Sequence, residues 1–318
     1  MTYAQYGTVS AADFNTLVGG NPTTTVNTLN ATWATGGSSA GYGQTDIANV
    51  SVGSNVAAVG QWANLVTVTA SAATHQGTSI TAVTAPVAGG TITYLSAIPT
   101  NLTTIYSSRL NAATQGSSIS NAATYSSTWS TALVFTHTVT FANGDAARYF
   151  FNSGGQLKVT CSHANNTAGV NLLLNNLASN VGTVAMSSPV TGSITISSTT
   201  FNGITKIGGG GATPTISTNS GYYAMTTSNA NVFTQAATTG PAYYLATNIN
   251  IKTKSNGTQG SNGDSGSIIT IYTTWDEVPD GYAVGAGTTT TVTVQAPETT
   301  QLANTWGTLS VTGTVSGS

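Results

Sequence analysis

From Phe135 to Phe141 the chain alternates at every step. Phe135, His137, Val139 and Phe141 fall on one face, and Thr136, Thr138 and Thr140 on the other. Successive side chains of a β-strand point to opposite faces, so this period predicts a strand with one buried face and one wet face. Leu157, Val159, Cys161 and His163 repeat the pattern opposite Lys158, Thr160 and Ser162. Further runs lie at Ile194–Ile196, Tyr243–Lys254, Ile268–Trp275, Thr290–Val294 and Leu309–Val315. Apolar-in, threonine-out strands of this kind predict an antiparallel β-sandwich-like domain. One inserted helix is expected, from the spacing of Val170, Leu173, Leu174 and Leu177, with its stop near Gly182. Asn152-Ser153-Gly154-Gly155 and Gly208–Gly211 read as turns between strands.

The first part of the chain carries a different period. In Ser10–Gly19 the apolar residues Phe14, Leu17 and Val18 have helical spacing, and Ser10 with Asp13 forms a capping-box start. Val26, Leu29 and Trp33 mark a second helix, closed by Gly36-Gly37. Val59, Trp62, Leu65, Val66 and Thr69 mark a third, with His75 at its end, where a cation suits the helix dipole. Ile98, Leu102, Ile105 and Tyr106 mark a fourth, with Pro99 in its first turn. The expected fold is therefore α+β and mainly β: a small helical packing region over 1–115, a Ser/Asn/Ala/Thr-rich linker over 116–128, and the sandwich over 129–318.

Charge is the second constraint. Only 4 % of the 318 residues are charged, against about 25 % in an ordinary soluble domain. No window approaches the ~20 apolar residues that span a bilayer, so no membrane insertion is expected. Met1–Ala4 has neither the basic start nor the apolar run of a signal peptide. The 13 Tyr, 7 Phe and 5 Trp argue for a packed core rather than disorder. A net charge of −2 gives copies little mutual repulsion and offers nucleic acid no basic surface. Neutral Thr, Ser and Asn suit dense interfaces, because they hydrogen-bond without the desolvation cost of a charge. A surface-layer protein or an adhesin shares this chemistry. Cys161 is the lone cysteine, in keeping with synthesis in a reducing cytoplasm.

Several strings resemble a known group. They are Gly41-Tyr42-Gly43-Gln44, the run Val56–Leu65 around Trp62, His75-Gln76-Gly77-Thr78-Ser79-Ile80, Arg109-Leu110-Asn111-Ala112, Asn304-Thr305-Trp306-Gly307 and, above all, Ala146-Ala147-Arg148-Tyr149-Phe150-Phe151-Asn152-Ser153-Gly154-Gly155-Gln156-Leu157. Together they resemble virion structural proteins of tailed bacteriophages, including contractile-tailed phages of cyanobacteria, often labelled tail-fibre-like. The resemblance spans nearly the whole chain. It implies a particle component built from copies of itself and other virion proteins, and carries no catalytic residues.

The residues of the longest string also have a direct reading. Asp145 and Arg148 are placed to pair across a short turn. Tyr149, Phe150 and Phe151 are too apolar to be exposed together, which suggests a strand-to-strand corner that closes the sandwich edge or docks a neighbouring subunit. Trp33, Trp62 and Trp306 are further assembly candidates.

Other chemistry is weaker. If the strands around His137 and Cys161 paired, with Phe141 opposite Leu157, then His137, Cys161 and His163 would share a face. Three ligands without a close-spaced pair fall short of a zinc site, so no metal and no cofactor is expected. Asp264, Asp276, Glu277 and Asp280 form the richest acidic group, but Pro279-Asp280-Gly281 reads as a turn rather than half of a glycosidase pair. No G-x-S-x-G elbow and no EF-hand spacing occurs. Tyr222, Tyr223, Tyr243, Tyr244 and Tyr282 could stack on a host-surface glycan. The sequence thus predicts a non-enzymatic virion protein, a homo-oligomeric tail appendage or baseplate component with a trimer favoured. A capsid decoration or neck protein and a glycan-binding fibre module are the alternatives.

Overall fold

The structure is a computed structural model, and it describes residues 9–19, 27–51, 53–54, 56, 58–88, 96–189, 192–218, 220–238, 242–278 and 282–317. The fold is α+β and mainly β.

The helical region holds α1 (Ala11–Val18), α2 (Leu29–Trp33), α3 (Ala63–Gln76, entered through a π-turn at Ala58–Trp62) and α4 (Ala97–Ser107). The capping box forms as read: Asp13 N donates to Ser10 Oγ at 3.2 Å, and Ser10 N donates to Asp13 Oδ2 at 3.2 Å. Val26 of the second helix pattern lies outside the described residues. Phe14, Leu17, Leu29, Trp33, Trp62, Leu65, Ile98, Leu102 and Ile105 share one core. Helices this short depend on such packing more than on propensity.

Neutral amides tie the irregular segments to these helices. Asn15 donates to Val50 O and accepts from Val50 N; Asn30 does the same with Ile47, and Asn101 with Thr81. Each pair satisfies one residue's N–H and C=O together, as a neighbouring strand would. This is how a region with almost no charge fixes extended chain.

The β region begins earlier than the sequence suggested. Residues 116–128 are not a linker, because most of them belong to strand β1 (Gln115–Tyr125). Both faces of β1 are exposed from Ser117 to Ser120, so it lacks the apolar-polar contrast that marks its neighbours. Next come β2 (Ala132–Thr140), α5 (Gly144–Asn152), β3 (Gln156–His163), α6 (Val170–Val181), β4 (Thr183–Met186), β5 (Ile194–Ile196), β6 (Thr199–Phe201) and β7 (Ile204–Ile207). The chain ends with β8 (Thr215–Ile216), β9 (Ala230–Ala236), β10 (Asn248–Ser255), β11 (Ile268–Asp276), β12 (Thr288–Pro297) and β13 (Ser310–Gly317).

One sheet has the order β1-β12-β3-β4-β7 and the other β13-β2-β11-β10-β9-β8, with β5-β6 a separate hairpin. Two helices, not one, interrupt the strands of the described β region. Both pack into its core: Phe150 and Phe151 from α5, and Leu173, Leu174 and Leu177 from α6.

β2 and β3 lie in different sheets, so the expected pairing of Phe141 with Leu157 and of His137 with Cys161 does not occur. Alternation identifies a strand's buried face but not its partner. The inner face also departs from a purely apolar rule. Thr288 and Thr290 are fully buried on β12, where they accept from Trp129 Nε1 and Trp275 Nε1, each at 3.1 Å. A buried indole N–H needs an acceptor, and a threonine of β12 supplies it.

The sandwich nearly closes at the edge strands β1 and β13. A Cβ on Gly313 would stand 2.4 Å from Asn121 Oδ1, and one on Gly317 would stand 3.0 Å from the Tyr125 ring. The two edges therefore run side by side in the same direction, with glycine where they touch.

Candidate functional site

The strings that carry the resemblance, Val56–Leu65 apart, meet at one joint between the helical region and the sandwich. Its centre is α5. Asn143 caps this helix by accepting from Ala146 N at 2.8 Å, and Asp145 sits in the first turn, where a carboxylate opposes the dipole. The expected corner between strands is thus a nine-residue helix. Gly154 ends it with φ +85°, and a Cβ on Gly155 would enter the Phe150 ring at 2.6 Å, so the chain can leave the helix only through these small residues.

Arg148 is fully buried. Its Nη2 lies 3.1 Å from Asp145 Oδ1, which makes the expected ion pair. The remaining donors reach the segment after α2: Nη1 donates to Ala40 O at 2.8 Å and Nη2 to Thr35 O at 2.9 Å. Asn152, one turn on, donates to Gly41 O at 3.0 Å. The Tyr223 hydroxyl lies 2.5 Å from Asn152 Oδ1 and 2.8 Å from Ser38 O, so its single O–H serves these two acceptors between them. From the other side Arg109 donates to Ser39 O at 2.7 Å and to Ser39 Oγ at 2.9 Å. Two guanidiniums therefore hold one loop, 35–41, by its carbonyls. Planar guanidinium donors suit this task, since they satisfy several acceptors without moving. Gly43, at φ +71°, lies flat against the Tyr149 ring, where a Cβ would stand 2.4 Å away.

A second set of bonds brings in the C-terminal strap between β12 and β13. Gln44 donates to Ala303 O at 2.9 Å and accepts from Ala303 N at 2.8 Å. Thr305 Oγ1 donates to Tyr42 O at 2.6 Å. Tyr42 is buried, donates to Arg109 O at 2.8 Å and accepts from Gln76 Nε2 at 2.7 Å; burial pushes its phenol well above the ordinary range. His75 packs edge-on to the Tyr42 ring and meets Glu298 Oε1 at 2.9 Å. Burial acts to raise the Glu298 carboxyl, but hydrogen bonds from His75, Gln301 N and Thr300 N outweigh it and hold it at about 2. Leu302 fills the helical core, while Trp306 fills the sandwich core.

Most of the assembly candidates are packed within the chain itself. Phe150 and Phe151 are buried, and Phe151 stacks on Tyr222 at 4.3 Å between ring centroids. Tyr149 is half-buried under the Arg148 guanidinium. Trp33 and Trp62 belong to the helical core. The string thus docks the chain's own two regions on each other.

The glycan candidates fare differently. Tyr222 and Tyr223 lie on a 3₁₀ turn (Tyr222–Ala224) rather than a strand, with Tyr222 fully buried and Tyr223 bonded into the joint. Tyr244, on a second 3₁₀ turn (Ala242–Ala246), is buried in the sandwich core. The expected strand from Tyr243 therefore starts only at Asn248, and the Tyr243 side chain lies outside the described residues. Tyr282 is 70 % exposed.

Among the described residues no three His, Cys, Asp or Glu side chains come together as a metal site. His163 instead bonds Thr288 Oγ1 at 3.0 Å and Asn171 Oδ1 at 3.1 Å. Burial lowers His137 and His163 and pushes the Cys161 thiol up to about 12. Asp276 accepts from Asn250 at 2.8 Å, and Asp280 lies outside the described residues. No described helix is long and apolar enough to cross a membrane.

Sequence reasoning passed over Asn152, Gln44, Gln76, Arg109 and Glu298 as parts of a joint. Glu298 did carry a signal, since it is the lone charged residue from Gly281 to Ser318. No family model, curated protein or solved structure matches the chain.

Proposed function

We propose that the chain is a non-enzymatic structural subunit of a tailed-phage particle, made in the host cytoplasm and assembled with copies of itself and other virion proteins. A trimeric tail appendage or baseplate component is the form favoured. The observation that carries this reading is the joint itself. Both arginines, Asp145 and Glu298 serve as internal fasteners, while the exposed strand β1 and most positions of the outer sheet faces carry neutral side chains, chiefly threonine, serine and asparagine. Rigid regions locked to each other, with a nearly uncharged exterior, suit a part that works by being held in an assembly. The resemblance of the joint's strings to virion structural proteins supports the same reading.

Immunogold labelling of intact particles tests the location, and size-exclusion with light scattering tests the self-association. Label on the tail or baseplate and a trimer mass are expected. A clean monomer at high concentration, or no label on particles, overturns the reading. Label on the capsid surface or neck instead transfers the same subunit to a decoration or neck role.

A further inference from the structure

We infer that the outer face of the six-stranded sheet carries a binding patch for an acidic saccharide, centred on Tyr272 and the lysine pair Lys252 and Lys254. The inference starts from where the positive charges are free. Arg148 and Arg109 are bonded into the joint, and Lys206 donates to Gly210 O and Gln235 Oε1, each at 2.9 Å. Of the remaining cations, Lys252 and Lys254 stand two positions apart on β10, so both project from the same face, roughly 7 Å apart. Neither makes an ion pair among the described residues. A carboxylate at the end of β11, Asp276, pairs in register with Asn248, four positions from Lys252, and is held by Asn250. A chain with net charge −2 thus presents a local positive spot.

The surroundings select the ligand class. Lys252 is in register with Tyr272 and Thr136, and Lys254 with Thr270 and Thr138. The half-buried Lys254 ammonium sits 5.7 Å from the Tyr272 ring centre, a weak cation–π contact, while Lys252 is exposed. The patch therefore offers two ammoniums for an anionic group, a ring for an apolar C–H face, and threonine hydroxyls that both donate and accept. That combination matches a sugar bearing carboxylate or sulfate. Two cations on a flat sheet are too few for nucleic acid, whose affinity comes from neutralising many phosphates. The tyrosines singled out by sequence are not needed, and the site stands independently of a role in a virion.

Biolayer interferometry with immobilised polygalacturonate, dextran sulfate and neutral dextran tests the patch. The wild-type chain is expected to bind one or both acidic polymers and not dextran, with the preferred polymer distinguishing carboxylate from sulfate. Lys252→Gln/Lys254→Gln is expected to weaken binding at least tenfold. Tyr272→Ala is expected to weaken it about fivefold and Tyr272→Phe to leave it unchanged, which separates the ring from any loss of folding. Lys158→Gln, on the other sheet, serves as the control and keeps wild-type binding. No binding to either acidic polymer, equal loss in Lys158→Gln, or full binding in Tyr272→Ala overturns the inference. So does a change of subunit number in the lysine double variant, which would make the patch a contact between copies.

Discussion

His75 Nδ1 and Glu298 Oε1 lie 2.9 Å apart although 223 positions separate them in the chain. This buried contact ties the end of α3 to the strap that follows β12. A carboxyl held at about 2, against 4.5 unperturbed, stabilises the fold fully above its unfolded value. That stability drains away as pH falls from about 4.5 towards 2. Thermal unfolding followed across this window is expected to show a falling Tm in the wild type and a flatter curve in Glu298→Gln. At neutral pH the variant is expected to be destabilised by on the order of 3 kcal/mol.

Arg148→Ala removes the donors that hold Thr35 O and Ala40 O, and takes the cation from the half-buried Asp145 carboxylate, which keeps only Gly263 N among the described residues. Breaking a buried ion pair from one side costs roughly 3–5 kcal/mol. Urea denaturation is expected to show a loss of that size. Arg148→Lys recovers only part of it, because one ammonium does not reach every acceptor that the planar fork reaches. Limited proteolysis is expected to find new cleavage within 35–41 in both variants.

Gly43→Ala places a Cβ 2.4 Å from the Tyr149 ring at a φ of +71°. Overpacking costs about 1–3 kcal/mol, and the left-handed backbone adds about 1–2 kcal/mol. In a Tyr149→Ala background the steric part is expected to vanish and the backbone part to remain. A double-mutant cycle on urea midpoints reads the difference. Gly37→Ala, with open space around its Cβ and no left-handed backbone, is expected to stay within about 0.5 kcal/mol of wild type.

The seam between β1 and β13 has its own test. Gly313→Val drives a branched side chain into Asn121 and His137. The expected result is a lower urea midpoint and faster amide exchange along β13, with α1 to α4 keeping their protection.

Cys161 is half-buried against the sandwich core, and its desolvated thiol should react slowly. Its thiol stands near 12, against about 8.5 in a free peptide, so little thiolate exists at pH 8. Alkylation there is expected to be slow in the native protein and rapid in denaturant. Fast native labelling would show that β3 opens.

What the sequence revealed followed from local periodicity. The box at Ser10 and Asp13, the helix ending at Gly182 and the strands around Phe135 and Leu157 each write their pattern into consecutive residues. β1 escaped because Ser117–Ser120 have water on both sides, so no alternation was selected. α5 escaped because Phe150 and Phe151 enter the sandwich core while the adjacent Tyr149 lies under Arg148, so three consecutive aromatics read as neither period. The pairing of β2 with β3 failed because alternation carries no information about which strand lies alongside. The joint was half visible: Asp145 and Arg148 are three residues apart, whereas Gln44 and Ala303 meet across 259 positions.

The strap has a temporal consequence. Leu302 completes the core formed by α1 to α4, yet it is translated near the end of the described chain. During synthesis the helices emerge long before the side chain that plugs them and before the carboxylate that meets His75. Until then the helical core lacks one of its buried side chains and the His75–Glu298 contact. A chain interrupted before Leu302 is therefore expected to lose stability in α1 to α4, far away along the sequence.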